Sequence, residues 1–145
     1  MNPLEKLEQK IYDEGIALIE RRPSPQADAM YLHIDGHAPC IYIDPAITSQ
    51  RTRYVLLAEE LAHYRTTVGD ILPEATPDQC RQERIAREYA FRHTAPYAVI
   101  LQMLRERYYP WEIAEWLFVP LWYLMDAIEF YDIDFLMDSD EFETA

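Results

Sequence analysis

Basic residues are scarce in this chain of 145 residues: 13 Lys and Arg stand against 26 Asp and Glu, a formal net charge of −13. A surface that neutralises nucleic-acid phosphates needs clustered Lys and Arg, so the balance argues against direct nucleic-acid binding. It argues equally against attachment to an anionic membrane surface. The last basic residue is Arg107, after which acidic residues from Asp126 to Glu143 crowd the chain; they read as a solvated helix face and a frayed tail over about 137–145. Cysteine is nearly lacking. Cys40 and Cys80 are too few and too far apart for a disulfide framework or a zinc ribbon, and reduced thiols are the expectation. No apolar run of 18 residues occurs, and no charged segment followed by a short apolar stretch opens the chain. Cytoplasmic localisation follows as an expectation. There is no internal repeat and no low-complexity segment. What remains is a chain half apolar in composition and long enough for one domain over 1–145 with a real core.

Strand signals are confined to the first third. Asn2-Pro3 opens a helix carrying Leu4, Leu7 and Ile11 at helical spacing, and Gly15 ends it. The run from Ile16 to Glu20 suits a buried strand, stopped by the loop Arg21-Arg22-Pro23-Ser24-Pro25. Ala29 to Ile34 and Cys40 to Asp44 flank Asp35-Gly36 as a hairpin, with His33 and His37 read as exposed loop residues. After Pro45 the periodicity is helical. Thr48 or Ser49 caps a long helix, Gly69 to Asp78 is a loop with two prolines, and Gln79 to Arg92 is a polar helix. Helices follow over Tyr97 to Arg107, from Pro110 to Leu117, and from Pro120 through Phe135 or beyond. The pattern predicts an α+β fold: a small N-terminal antiparallel sheet packed on a mainly helical body.

The most informative stretch is Val55 to Tyr64, V-L-L-A-E-E-L-A-H-Y. Glu59 and His63 are four apart, one above the other on a single helical face, so both can reach one metal ion. Glu60 lies about 100° further around the helix, where it can touch a metal-bound water without ligating the metal. H-E-x-x-H metallopeptidases use that geometry, with Glu59 here at the place of the first His. The alternative is an exposed pair of glutamates and a core histidine. In the next helix Glu83, Ala86 and Ala90 share a face, so the alanines permit close approach of another helix and Glu83 projects into the gap.

Leu57 to Tyr64, followed by Thr66-Thr67-Val68-Gly69-Asp70-Ile71, resembles the ImmA/IrrE family of metallo-endopeptidases, in particular members borne by phages and mobile elements. Ala62 stands where that pattern usually has Gly. The frame Glu83-Arg84-Ile85-Ala86-Arg87-Glu88-Tyr89-Ala90 resembles the family's E-x-x-A-N-x-F-A, with Arg87 and Tyr89 at the places of Asn and Phe. The likeness covers roughly residues 30 to 131. The tail frame I-A-E-x-L-x-V-P superficially resembles a helix-turn-helix, yet Leu121, Trp122 and Tyr123 stand where a DNA-reading helix carries polar side chains.

The resemblance implies a zincin-like fold with Glu59, His63 and Glu83 as metal ligands and Glu60 as general base. It also implies an edge strand lining the cleft and a protein substrate, a helix-turn-helix repressor. Glu88 is the rival to Glu83 but lies on a different face, and His93 is a candidate for an outer position. Two carboxylates and one imidazole cancel the charge of a divalent ion, so a bound water is acidified less than at a two-His site. Oxygen donors also shift preference from Zn²⁺ toward Mn²⁺. Two functions stay open: a metal-dependent endopeptidase, and a catalytically inactive zincin-like domain that binds the repressor or another regulatory protein.

Overall fold

In a computed structural model that describes residues 1–66 and 77–134, Asn2 caps the first helix, α1 (Pro3–Asp13), its side-chain oxygen accepting from the Glu5 N–H at 2.9 Å. The amide satisfied there has no partner within the helix, and Pro3 at the first position loses nothing by lacking an N–H. At the other end Gly15 turns left-handed at φ +77°. The Gly15 and Ile16 amides then close on the Tyr12 and Ile11 carbonyls.

Three strands follow, β1 (Ala17–Glu20), β2 (Ala29–Leu32) and β3 (Cys40–Ile43), in the sheet order β1-β3-β2. The sheet is mixed, which corrects the expectation of an antiparallel one. β2 and β3 form the expected antiparallel hairpin, with Gly36 at φ +83° in its loop, but β1 runs parallel to β3. The reason lies in β3. Its Ile41 and Ile43 are fully buried, and the central position covers it from both sides. β1 could have extended the hairpin next to β2; joining β3 instead encloses the most apolar strand. β1 itself is an edge strand with exposed ends rather than a buried one.

Ser49, of the two candidate caps, starts α2 (Gln50–Thr66): its Oγ accepts from the Thr52 N–H at 3.2 Å. Val55, Leu57, Ala58, Leu61 and Ala62 are buried, and α2 packs on α1, β2 and β3. Arg53 ties these elements together by donating to Glu8 of α1 and Glu20 of β1. Arg65 pairs with Glu14, and Arg22 bridges Asp28 and Asp44 at 2.8 and 2.7 Å. The T-T-V-G-D segment from Thr67 and most of the expected Pro-containing loop lie outside the described residues.

The chain divides into two compact units, Met1–Ala90 and Phe91–Ala145, and the division falls within α3 (Pro77–Thr94). In the first unit Ala86 and Ala90 of α3 cluster with Ala62 of α2, and Tyr89 packs against them. The second unit contains the end of α3 with α4 (Tyr97–Arg105), α5 (Pro110–Leu117) and α6 (Leu121–Phe130). Its centre is aromatic. Phe91 meets Tyr123 and Phe130 with ring centroids 5.0 and 5.2 Å apart. Buried Thr94 shares a 2.7 Å hydroxyl–hydroxyl bond with Tyr123, and the Tyr131 hydroxyl donates to the Ala95 carbonyl.

α6 stops at Phe130, short of the expected Phe135. Asp132 takes the left-handed conformation at φ 56°, and the Asp132 and Ile133 amides bond back to Glu129 and Ile128. Arg107 and Phe118 close α4 and α5 the same way, at φ 70° and 62°. With only three glycines in the chain, three of these helix ends fall on residues that carry a Cβ, for which the left-handed region costs about 1–2 kcal/mol. The expected frayed tail over about 137–145 lies outside the described residues. No helix among the described residues is long and apolar enough to cross a membrane.

Candidate functional site

Glu59, Glu60, His63 and Glu83 all belong to the first unit. Ala62 on α2 and Ala86 and Ala90 on α3 have no side chain beyond Cβ, so the two helices approach closely there. Glu83, one turn before Ala86, reaches His63: its Oε2 lies 3.5 Å from His63 Nε2. The His63 side chain is mostly covered at 16% exposure while Glu83 is 57% exposed, so the pair opens to solvent on the α3 side.

Glu60 faces the sheet. Its Oε2 accepts the Tyr31 backbone N–H at 2.6 Å. That amide is an edge group of β2. The Asp44 N–H bonds to the Asp28 carbonyl at 2.8 Å, so in the β2–β3 register the pairs at 28, 30 and 32 exchange hydrogen bonds with β3 and the amide at 31 points outward. The Glu60 carboxylate thus caps a donor at the open edge of the sheet. Tyr64 adds an edge-on ring contact to Tyr31, with centroids 5.8 Å apart. Glu60 is half-buried as a residue, with its carboxylate as the withdrawn end, and it is pushed from 4.5 up to about 7. Desolvation is the main cause; the Tyr31 N–H opposes it, and the negative charges of Glu59 and Glu83 add to it. A carboxyl group that titrates near neutrality is suited to take up and return a proton.

Two of the three expected metal donors are therefore side by side. Donors bonded to one tetrahedral zinc at about 2.0–2.1 Å lie about 3.3–3.4 Å apart, and the His63–Glu83 separation of 3.5 Å fits that edge. The three-donor set does not assemble: among the described residues no group of three or more His, Cys, Asp and Glu side chains is placed to hold a metal ion. Glu59 is half-buried, next to Glu60 and close enough for its charge to act on it. The rival Glu88 is half-buried on another face of α3, His93 is exposed and belongs to the second unit, and His33 and His37 are exposed in the hairpin loop.

Tyr31 was invisible in the sequence as a site residue, because it acts through its backbone amide and any residue in that register would offer the same donor. Comparison with known proteins finds no matching family model, no matching curated protein and no matching solved structure.

Proposed function

We propose that this chain is a zincin-like endopeptidase of the ImmA/IrrE type, acting on a protein substrate of the helix-turn-helix repressor class with the help of a weakly held divalent ion. The observation that carries the reading is the approach of Glu83 to His63 on the same helix that holds a withdrawn, near-neutral Glu60. His63 and Glu83 would hold the ion, with Glu59 completing the set. When bound, the ion supplies a Lewis acid and acidifies a water. Glu60 handles the proton: as carboxylate it accepts one from the attacking water, and as carboxylic acid it returns one to the leaving amine. The Tyr31 N–H holds one Glu60 oxygen in place. The low cost of protonating Glu60 near pH 7 suits both halves of that cycle.

A second reading has its own support. With two donors paired and no group of three among the described residues, the domain also fits a non-catalytic module that binds the same regulatory protein. One experiment separates the two. Protein freed of metal by chelation is titrated with Mn²⁺ and Zn²⁺, and in parallel the protein is co-expressed with a candidate repressor whose fragments are followed by mass spectrometry. The peptidase reading expects weak stoichiometric binding that His63→Ala abolishes. It also expects cleavage that Glu60→Gln removes by 10²–10⁴-fold, roughly the worth of a positioned base, and that Glu59→His, which restores H-E-L-A-H, increases. An intact repressor with both wild type and Glu59→His, still bound to the protein, leaves the binding module as the answer.

A further inference from the structure

The second unit carries an apolar surface of its own. α5 and α6 are joined by three residues, Phe118 to Pro120, with Phe118 left-handed. Their inward faces are closed: Ile113, Ala114, Leu124, Ala127 and Ile128 are all buried. The outward faces are not polar in compensation. Trp111, Trp116 (75% exposed), Leu121, Trp122 and Met125 all stand in water, so every tryptophan of the protein lies on this pair of helices. On α6 the exposed positions 121, 125 and 129 are successive turns of one face, with Trp122 beside them. Scattered exposed hydrophobics are ordinary, but Leu121, Trp122 and Met125 crowd one face of α6, and α5, which packs on it, exposes two more tryptophans, a concentration of the kind that marks an interaction site.

Charge decides the occupant. From Tyr108 to Ala145 the chain has ten Asp and Glu and no Lys or Arg. Glu115 and Glu129 are exposed on the two helices themselves, and Asp132 just beyond α6. A second copy of this chain would set these carboxylates against their own kind. Nucleic acid and anionic bilayers would meet negative charge on both helices, neither of which carries a Lys or Arg. A cationic chain meets none of these penalties: its ammonium and guanidinium groups pair with the carboxylates and stack on the indole faces, while its apolar side chains cover Leu121 and Met125. We propose that the outward face of α5 and α6 is a docking surface for a Lys/Arg-rich protein segment with apolar anchors. The assignment is independent of whether the Glu60 site is catalytic.

The test uses the full-length protein and a synthetic amphipathic peptide of lysine and leucine at helical spacing, with amide shifts of the ¹⁵N-labelled protein recorded during titration. Saturable binding is expected, with the shifted amides between Trp111 and Glu129. Trp122→Ala should weaken it roughly tenfold, as loss of an interface anchor does, with unchanged shift dispersion showing that the half-exposed residue is dispensable for folding. Raising salt from about 0.05 to about 0.5 M shortens the screening length severalfold and should weaken binding at least roughly tenfold. Neutralising Asp138, Asp140, Glu141 and Glu143 together should leave the shifted amides the same. Shifts centred elsewhere, equal binding of a glutamate–leucine peptide, or loss of binding on neutralising those four residues but not in Trp122→Ala overturns the proposal. So does movement of the same amides by duplex DNA, by lipid vesicles or by self-association.

Discussion

Replacing Glu60 by glutamine removes an acid that burial pushes well above its ordinary range. Glutamine has the shape of glutamate and its carbonyl oxygen can still accept the Tyr31 N–H, but it carries no charge to desolvate. In the folded protein Glu60 titrates at about 7 against an ordinary 4.5. Between these values the folded chain holds a proton that the unfolded chain has released, so the contribution of this group to stability is complete below pH 4.5 and is lost as pH rises through 7. At ~1.4 kcal/mol per pH unit the loss amounts to about 3 kcal/mol above neutrality. Glu60→Gln should therefore match wild type near pH 4.5 and exceed it by about 3 kcal/mol at pH 8, a rise in urea midpoint of about 1–3 M. The three tryptophans lie in the second unit, so a probe within the first unit is needed as well. Far-UV circular dichroism in chelator, paired with the chemical shifts of the Glu60 carboxyl carbon and the Tyr31 amide proton, reads it directly. Glu83→Gln removes one of the charges that raise Glu60 and should move its midpoint down. Parallel pH profiles for wild type and Glu60→Gln, or a Glu60 carboxyl titrating near 4.5, would refute the reasoning.

Two further predictions concern the second unit and can be followed by tryptophan fluorescence during urea unfolding. Thr94→Val keeps the volume of a buried side chain but removes its hydroxyl bond to Tyr123; it should cost about 1–2 kcal/mol, and an unchanged midpoint would show that the bond contributes nothing net. Arg107→Gly places the residue best suited to a left-handed helix end at φ 70°, and should raise the midpoint by the equivalent of roughly 0.5–1 kcal/mol, whereas a fall would mean that the arginine side chain matters more than its backbone conformation.

The sequence by itself determined the local elements. Asn2-Pro3, Gly15, Asp35-Gly36, Pro110 and the spacing in Val55 to Tyr64 act within a turn or two of themselves, and the helices, hairpin and shared face of Glu59 and His63 follow from backbone geometry alone. Likewise the bareness of Ala86 and Ala90 beside Glu83 pointed to a close helix contact before any partner helix was known. What only the tertiary structure decided was each matter that depends on a distant segment. The hairpin pattern of β2 and β3 is the same whichever side β1 joins, and burial of Ile41 and Ile43 chose β3, making the sheet mixed. The end of α6 was set by a left-handed Asp132, which no periodicity signals. Nothing in its local sequence sets Glu60 apart as an acid, yet it is raised, because folding turns that side chain toward the edge of β2 and out of water. Spacing along a helix specifies which side chains share a face; the dielectric each one meets is specified by what packs against that face.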